Sequence, residues 1–176
     1  MANRSYLYAV NFDPTERKRE DGDPAASIGE WNYGVPLCFK LLLSVNPREV
    51  SSILFDYKDP IAVIGEYRPG LERMYAFIEE LKTRDLYDTA ELERLLAETR
   101  KFFAGIPEER YFVLECGELY QMEDRDFGEQ NRDLLKQLGN IDGEIEQFYR
   151  DAAEQPKDRD WLLGFGEWSD VLYYSL

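Results

Sequence analysis

The sequence predicts an α+β fold: a helix-rich single domain over residues 1–176 with a small, mostly antiparallel sheet. Apolar residues recur at helical spacing in several separate stretches. Short runs that are apolar on both parities lie between these stretches, each bounded by turn residues. With 44% hydrophobic residues in a 176-residue chain, there is enough apolar surface for one packed core.

The clearest helix runs from Asp88 to about Gly105. Asp88 followed by Glu91 is a capping-box pattern, in which the Asp side chain accepts from an early helix N–H. Leu92, Leu95, Leu96, Thr99, Phe102 and Phe103 then lay one stripe against a core. Glu91 and Glu93 come early and Arg100 and Lys101 late, as the helix dipole prefers. Gly105 and Pro107 end it. The following run, Tyr111 to Cys116, is short, aromatic and β-branched, and its two apolar parities predict a central strand buried on both faces.

Taken in order, Ser5 to Val10 predicts an opening strand. Asn11 to Gly34 reads as a long polar loop, with Asp13-Pro14, Asp23-Pro24 and the charged run Glu16 to Asp21. Leu37, Leu41 and Leu42 predict a helix over 35–43 with Pro36 in its first turn. Asn46-Pro47-Arg48-Glu49, with Val50, Ile53 and Leu54, predicts a further short helix. Ile61 to Ile64 is a strand. Pro69 opens a helix through Leu71, Met74, Tyr75, Ile78 and Leu81 that pairs with the Asp88 helix. From Phe127, the register Leu134, Leu138, Ile141, Ile145, Phe148 and Ala152 predicts one long helix, although Gly139-Asn140 and Gly143 could split it. After a connector at 155–160, the apolar tail from Trp161 to Tyr174 is expected to dock on the body as one or two strands, with Gly164-x-Gly166 forming a turn.

Acidic residues number 36 against 21 basic ones, a net charge of −15. Such a surface repels phosphate backbones and anionic membranes and attracts cationic proteins; equally, it keeps a protein soluble. Cys38 and Cys116 stand apart inside apolar runs, which predicts buried reduced thiols rather than a disulfide. No apolar run approaches the ~20 residues that span a bilayer, and the N-terminus lacks the layout of a signal peptide, so a cytoplasmic location is expected.

The chain has no histidine. That removes Ser-His-Asp and Cys-His systems in their usual form, and the mixed-ligand zinc sites. Gly164-x-Gly166 lacks the third glycine of a dinucleotide motif, and no cofactor is expected. Carboxylate chemistry remains, with Asp124-Arg125-Asp126 and Asp158-Arg159-Asp160 as conceivable sources of metal ligands or paired acids. The ordinary reading is that these are solvated loops, with Asp126 a helix cap. No catalytic or metal site is expected.

Aromatic and acidic residues interleave in three places: Glu30, Trp31 and Tyr33; Glu118, Tyr120 and Asp124; and Glu167, Trp168 and Asp170. A ring rimmed by carboxylates suits a cationic protein partner, since the ring offers desolvated area and the acids pair with Lys or Arg. Core aromatics beside ordinary surface acids would give the same pattern.

The opening Met1-Ala2-Asn3-Arg4-Ser5-Tyr6-Leu7-Tyr8 and the closing Gly164 to Tyr173 resemble a group of uncharacterised bacterial proteins that begin Asn-Arg-Ser-Tyr-Leu-Tyr. In being small, acidic and poor in motifs, the chain also resembles bacterial immunity proteins. That resemblance implies a module that binds a cognate basic toxin domain and occludes its active site, without catalysis. The alternatives are a carboxylate-dependent hydrolase or metal enzyme, and a self-associating structural or regulatory subunit.

Overall fold

The structure is a computed structural model that describes residues 3–17, 19–20, 22–107 and 109–174. Met1-Ala2 of the opening, and Lys18 and Asp21 of the charged run, lie outside the described residues. The strands are β1 (Arg4–Val10), β2 (Ala25–Asn32), β3 (Arg48–Val50), β4 (Ala62–Glu66) and β5 (Tyr111–Glu115). They form one sheet in the order β2-β1-β5-β4-β3, with antiparallel pairing throughout. The predicted α+β class is therefore observed, and β5 is the central strand its composition called for.

The helices are α1 (Leu37–Leu43), α2 (Tyr67–Leu81), α3 (Thr89–Ala104), α4 (Gly117–Tyr120), α5 (Phe127–Gly139), α6 (Ile141–Glu154) and α7 (Arg159–Leu163). One sheet face gives Leu7, Ala9, Val63, Phe112 and Leu114 to the main core, where they meet apolar residues of α1, α2, α3, α5 and α6. The other face carries Tyr6, Tyr8, Val10, Val113, Ala62 and Ile64 beneath Phe12, Ile53, Leu54 and Leu172 from the connecting segments and the tail. Both faces are thus covered, which explains why β1 and β5 are apolar on both parities.

The α3 helix starts as expected, with the Asp88 carboxylate accepting from the Glu91 N–H at 2.9 Å. Asp126 caps α5 in the same way through Glu129. Cys38 and Cys116 are buried and free. Gly164 and Gly166 both adopt positive φ and turn the chain between α7 and the tail.

Several expectations are corrected. The segment read as a loop over 11–34 contains β2, whose Ala25-Ala26-Ser27 start carries no strand signal and is specified by pairing with β1. The short helix after Asn46 is instead β3. Asn46 has φ 50° and turns the chain back, so Asn-Pro acts as a turn here and not as a helix start. The long helix from Phe127 is two helices, because Asn140 (φ −117°, ψ 47°) leaves helical geometry between α5 and α6. The acidic stretch after β5 holds the short helix α4. The tail is docked but forms α7 and irregular chain rather than strands. Ser169 N–H donates to the Ile28 carbonyl at 2.9 Å, which ties the tail to β2, the edge strand of the sheet.

Candidate functional site

The start of β1, the end of β2 and the short α4 meet at one end of the sheet. Arg4 organises this end: its backbone N–H donates to Glu118 Oε2 at 3.0 Å, and its guanidinium reaches Asn32 Oδ1 at 2.9 Å and Glu30 at 3.6 Å. The Tyr173 ring lies 5.2 Å from the Arg4 guanidinium, and the Tyr173 N–H donates to Glu30 Oε2 at 2.9 Å. Asn3 accepts from the Tyr33 N–H at 2.8 Å, so the chain turns directly from β2 into α1.

That turn forms one wall of a cleft of about 430 Å³, lined by Tyr33, Gly34, Val35 and Lys40 on one side and by α4 and α5 on the other. Tyr33 stands on its rim with φ 61° and 56% of its surface exposed. The left-handed region is unfavourable for a residue with a Cβ, and a bulky aromatic held there in solvent gains little for the fold. Met122, which lines the same cleft, is 51% exposed, and Leu119 and Leu134 continue the apolar lining. The exposed Trp161 ring packs beneath the same turn, within 3.2 Å of where a Cβ on Gly34 would lie.

Charge around the cleft is largely paired. Arg125 is shared by Asp133 at 2.7 Å and Glu123 at 3.4 Å. The Arg125 hydrogen bond, helped by Lys136, holds the Asp133 carboxyl down at about 2. Lys40 pairs with Glu144 on α6 at 2.5 Å. At the floor, Tyr120 donates to Asn131 Oδ1 at 3.0 Å, and burial drives its phenol far up, so it remains a neutral donor.

The structure brings Glu30, Tyr33, Glu118 and Tyr120 together at this end of the molecule. Trp31 packs against the main core, and its indole N–H has no partner among the described residues. Asp124 is exposed on the turn after α4. Trp168 sits among Phe39, Phe102 and Phe103, with exposed Glu167 and Asp170 beside it in the tail. Sequence reasoning passed over Met122 and Asp133, and named Arg125 only as the residue between two acids. The available signal was Met122 itself, an apolar residue with polar neighbours on both sides.

Among the described residues, no group of three or more Cys, Asp or Glu side chains converges as a metal site would require. Asp126 is committed to its cap, and Asp160 accepts from Arg159 Nε at 3.1 Å. No helix among them is long and apolar enough to cross a membrane.

Comparison with protein families matches residues 11–156 to one described as a domain of unknown function (DUF7822). The chain belongs to this family. The DUF7822 match begins just after β1 and ends just after α6, so it spans the cleft and leaves Arg4 and the tail outside it. No curated protein and no solved structure matches the chain.

Proposed function

We propose that the chain is an acidic protein-binding module that seats a cationic partner protein on the cleft beside Tyr33, in the manner of an immunity protein occluding a toxin domain. The observation that carries this reading is Tyr33 itself, an aromatic side chain kept in a strained backbone conformation and held out into solvent on a cleft that exposed Met122 also lines. An aromatic anchor supplies a large desolvated contact at little entropic cost, which is why tyrosine is enriched in binding hot spots, and a methionine beside it adapts its shape to the partner. The surplus of acids over bases speeds the approach of a positive surface.

The test is to identify toxin-like domains encoded beside its gene and to titrate the purified chain with each, at low and at moderate salt. Binding is expected to weaken as salt rises, and by tenfold or more, about 1.4 kcal/mol, in Tyr33→Ala or Met122→Ala. Absence of binding at low salt, or affinity untouched by both substitutions, overturns the reading.

A further inference from the structure

On the sheet face away from the main helix core, Glu115 is 0% exposed at the end of the central strand β5. Its carboxylate accepts from the Ser52 O–H and from the Ile53 N–H, each at 2.7 Å, and Ser52 Oγ in turn accepts from the Phe55 N–H at 2.7 Å. Among the described residues no lysine or arginine pairs with it. A buried carboxylate supported only by neutral donors is costly in its charged form, and burial pushes this one up to about 7 against those hydrogen bonds. The loop that supplies the donors is the cover over it. Outside the loop lies a hollow of about 360 Å³, lined by Ser51, Ser52, Asp56 and Lys58 of the loop region and by Arg19.

The buried phenols and thiol around Glu115 keep their protons near neutrality. Tyr6 and Tyr8 of β1 are pushed up, first by burial. So are the adjoining Cys116 thiol and the Tyr120 phenol of α4. On β4 the residue directly across is Ala62, which carries no charge.

The same loop braces the cleft. The Phe55 ring lies against Gly117, the first residue of α4, where a Cβ would fall 2.7 Å from it. Tyr57 stacks on Phe127 at the start of α5, with ring centres 5.0 Å apart. We propose that the 51–57 loop is a pH-responsive strap: ionisation of Glu115 releases it from the sheet and loosens the α4 and α5 wall of the cleft. The consequence for partner binding rests on the function proposed above, whereas the release itself belongs to the isolated chain.

Hydrogen exchange of the 51–57 amides, measured on the full chain without partner and corrected for intrinsic rates, tests the strap. Protection is expected to fall about tenfold between about pH 6 and about pH 8, as one proton's linkage requires. In Glu115→Gln, which keeps the shape without the charge, protection should stay at the acid level throughout. Ser52→Ala removes a donor that favours the ionised carboxylate under the closed loop, so protection should start weaker and its fall should extend to higher pH than in the wild type. Wild-type protection that is equal at both pH values overturns the proposal, as does an undiminished fall in Glu115→Gln. A working strap in a chain that binds no partner would fail the functional reading alone.

Discussion

Trp168 donates its indole N–H to Thr99 Oγ1 at 2.8 Å, tying the tail to the middle of α3. Thr99 is 0% exposed in a stripe that is otherwise apolar, so no solvent can replace this bond. Thr99→Val keeps the shape and leaves a largely buried N–H without an acceptor. The expected cost is about 1–2 kcal/mol, read as a lower urea midpoint with red-shifted tryptophan emission. An unchanged midpoint would mean that ring packing on Phe39, Phe102 and Phe103 holds the tail by itself.

Gly70 lets α2 lie directly on α1. A Cβ there would fall onto the Leu42 carbonyl, a backbone atom that cannot rotate aside. Gly70→Ala improves helix propensity by up to about 1 kcal/mol, yet it forces two buried helices apart. The net effect is expected to be destabilisation of about 2 kcal/mol, measured by denaturant unfolding. Stabilisation instead would show that the α1–α2 approach relaxes at low cost.

What was legible in the sequence is what local chemistry specifies. Asp88 and Asp126 announce their helices because the cap is made within three residues. The apolar parity of β5 announces a central strand because both of its sides are covered. The edge elements were not legible. Ala25 to Ser27 become strand only because β1 lies beside them, and Arg48 to Val50 only because β4 does. Asn140 splits a register that stays continuous in sequence, since one residue outside helical geometry does not disturb the spacing of its neighbours. The candidate site was half legible for the same reason. Interleaved acids and rings marked Tyr33 and Tyr120, but their convergence with Met122 depends on where α4 and α5 pack. Trp168 carried the same pattern and lies among core rings.

Tyr33 separates binding from stability. Glycine adopts the φ of 61° without strain, which recovers roughly 1–2 kcal/mol, while its greater freedom in the unfolded chain costs about 0.5–1 kcal/mol. Tyr33→Gly should therefore melt at the wild-type temperature or slightly above it. Partner affinity in the same variant should fall at least tenfold. A clear loss of stability would make Tyr33 a packing residue and remove the ground for its role on the cleft rim.

The pH dependence of unfolding should carry the mark of Glu115. Its carboxyl is raised from an ordinary 4.5 to about 7, by burial acting against the hydrogen bonds from the Ser52 and Ile53 region. The folded chain therefore keeps a proton that the unfolded chain has already released. This contribution is full below the ordinary value, declines as pH rises towards 7, and levels off above it, for a total of about 3 kcal/mol. Asp13 has the opposite sign: burial would raise it, but bonds from Thr15 and Arg48 outweigh burial, so its contribution disappears only as pH falls below the ordinary 3.8. The two effects occupy separate windows, which puts maximum stability near about pH 4 to 5. Urea midpoints from about pH 5 to about pH 8 should fall in the wild type and stay nearly level in Glu115→Gln. An equal decline in both would assign the slope to repulsion among the many surface acids, because the substitution removes the buried charge and leaves that surface almost unchanged.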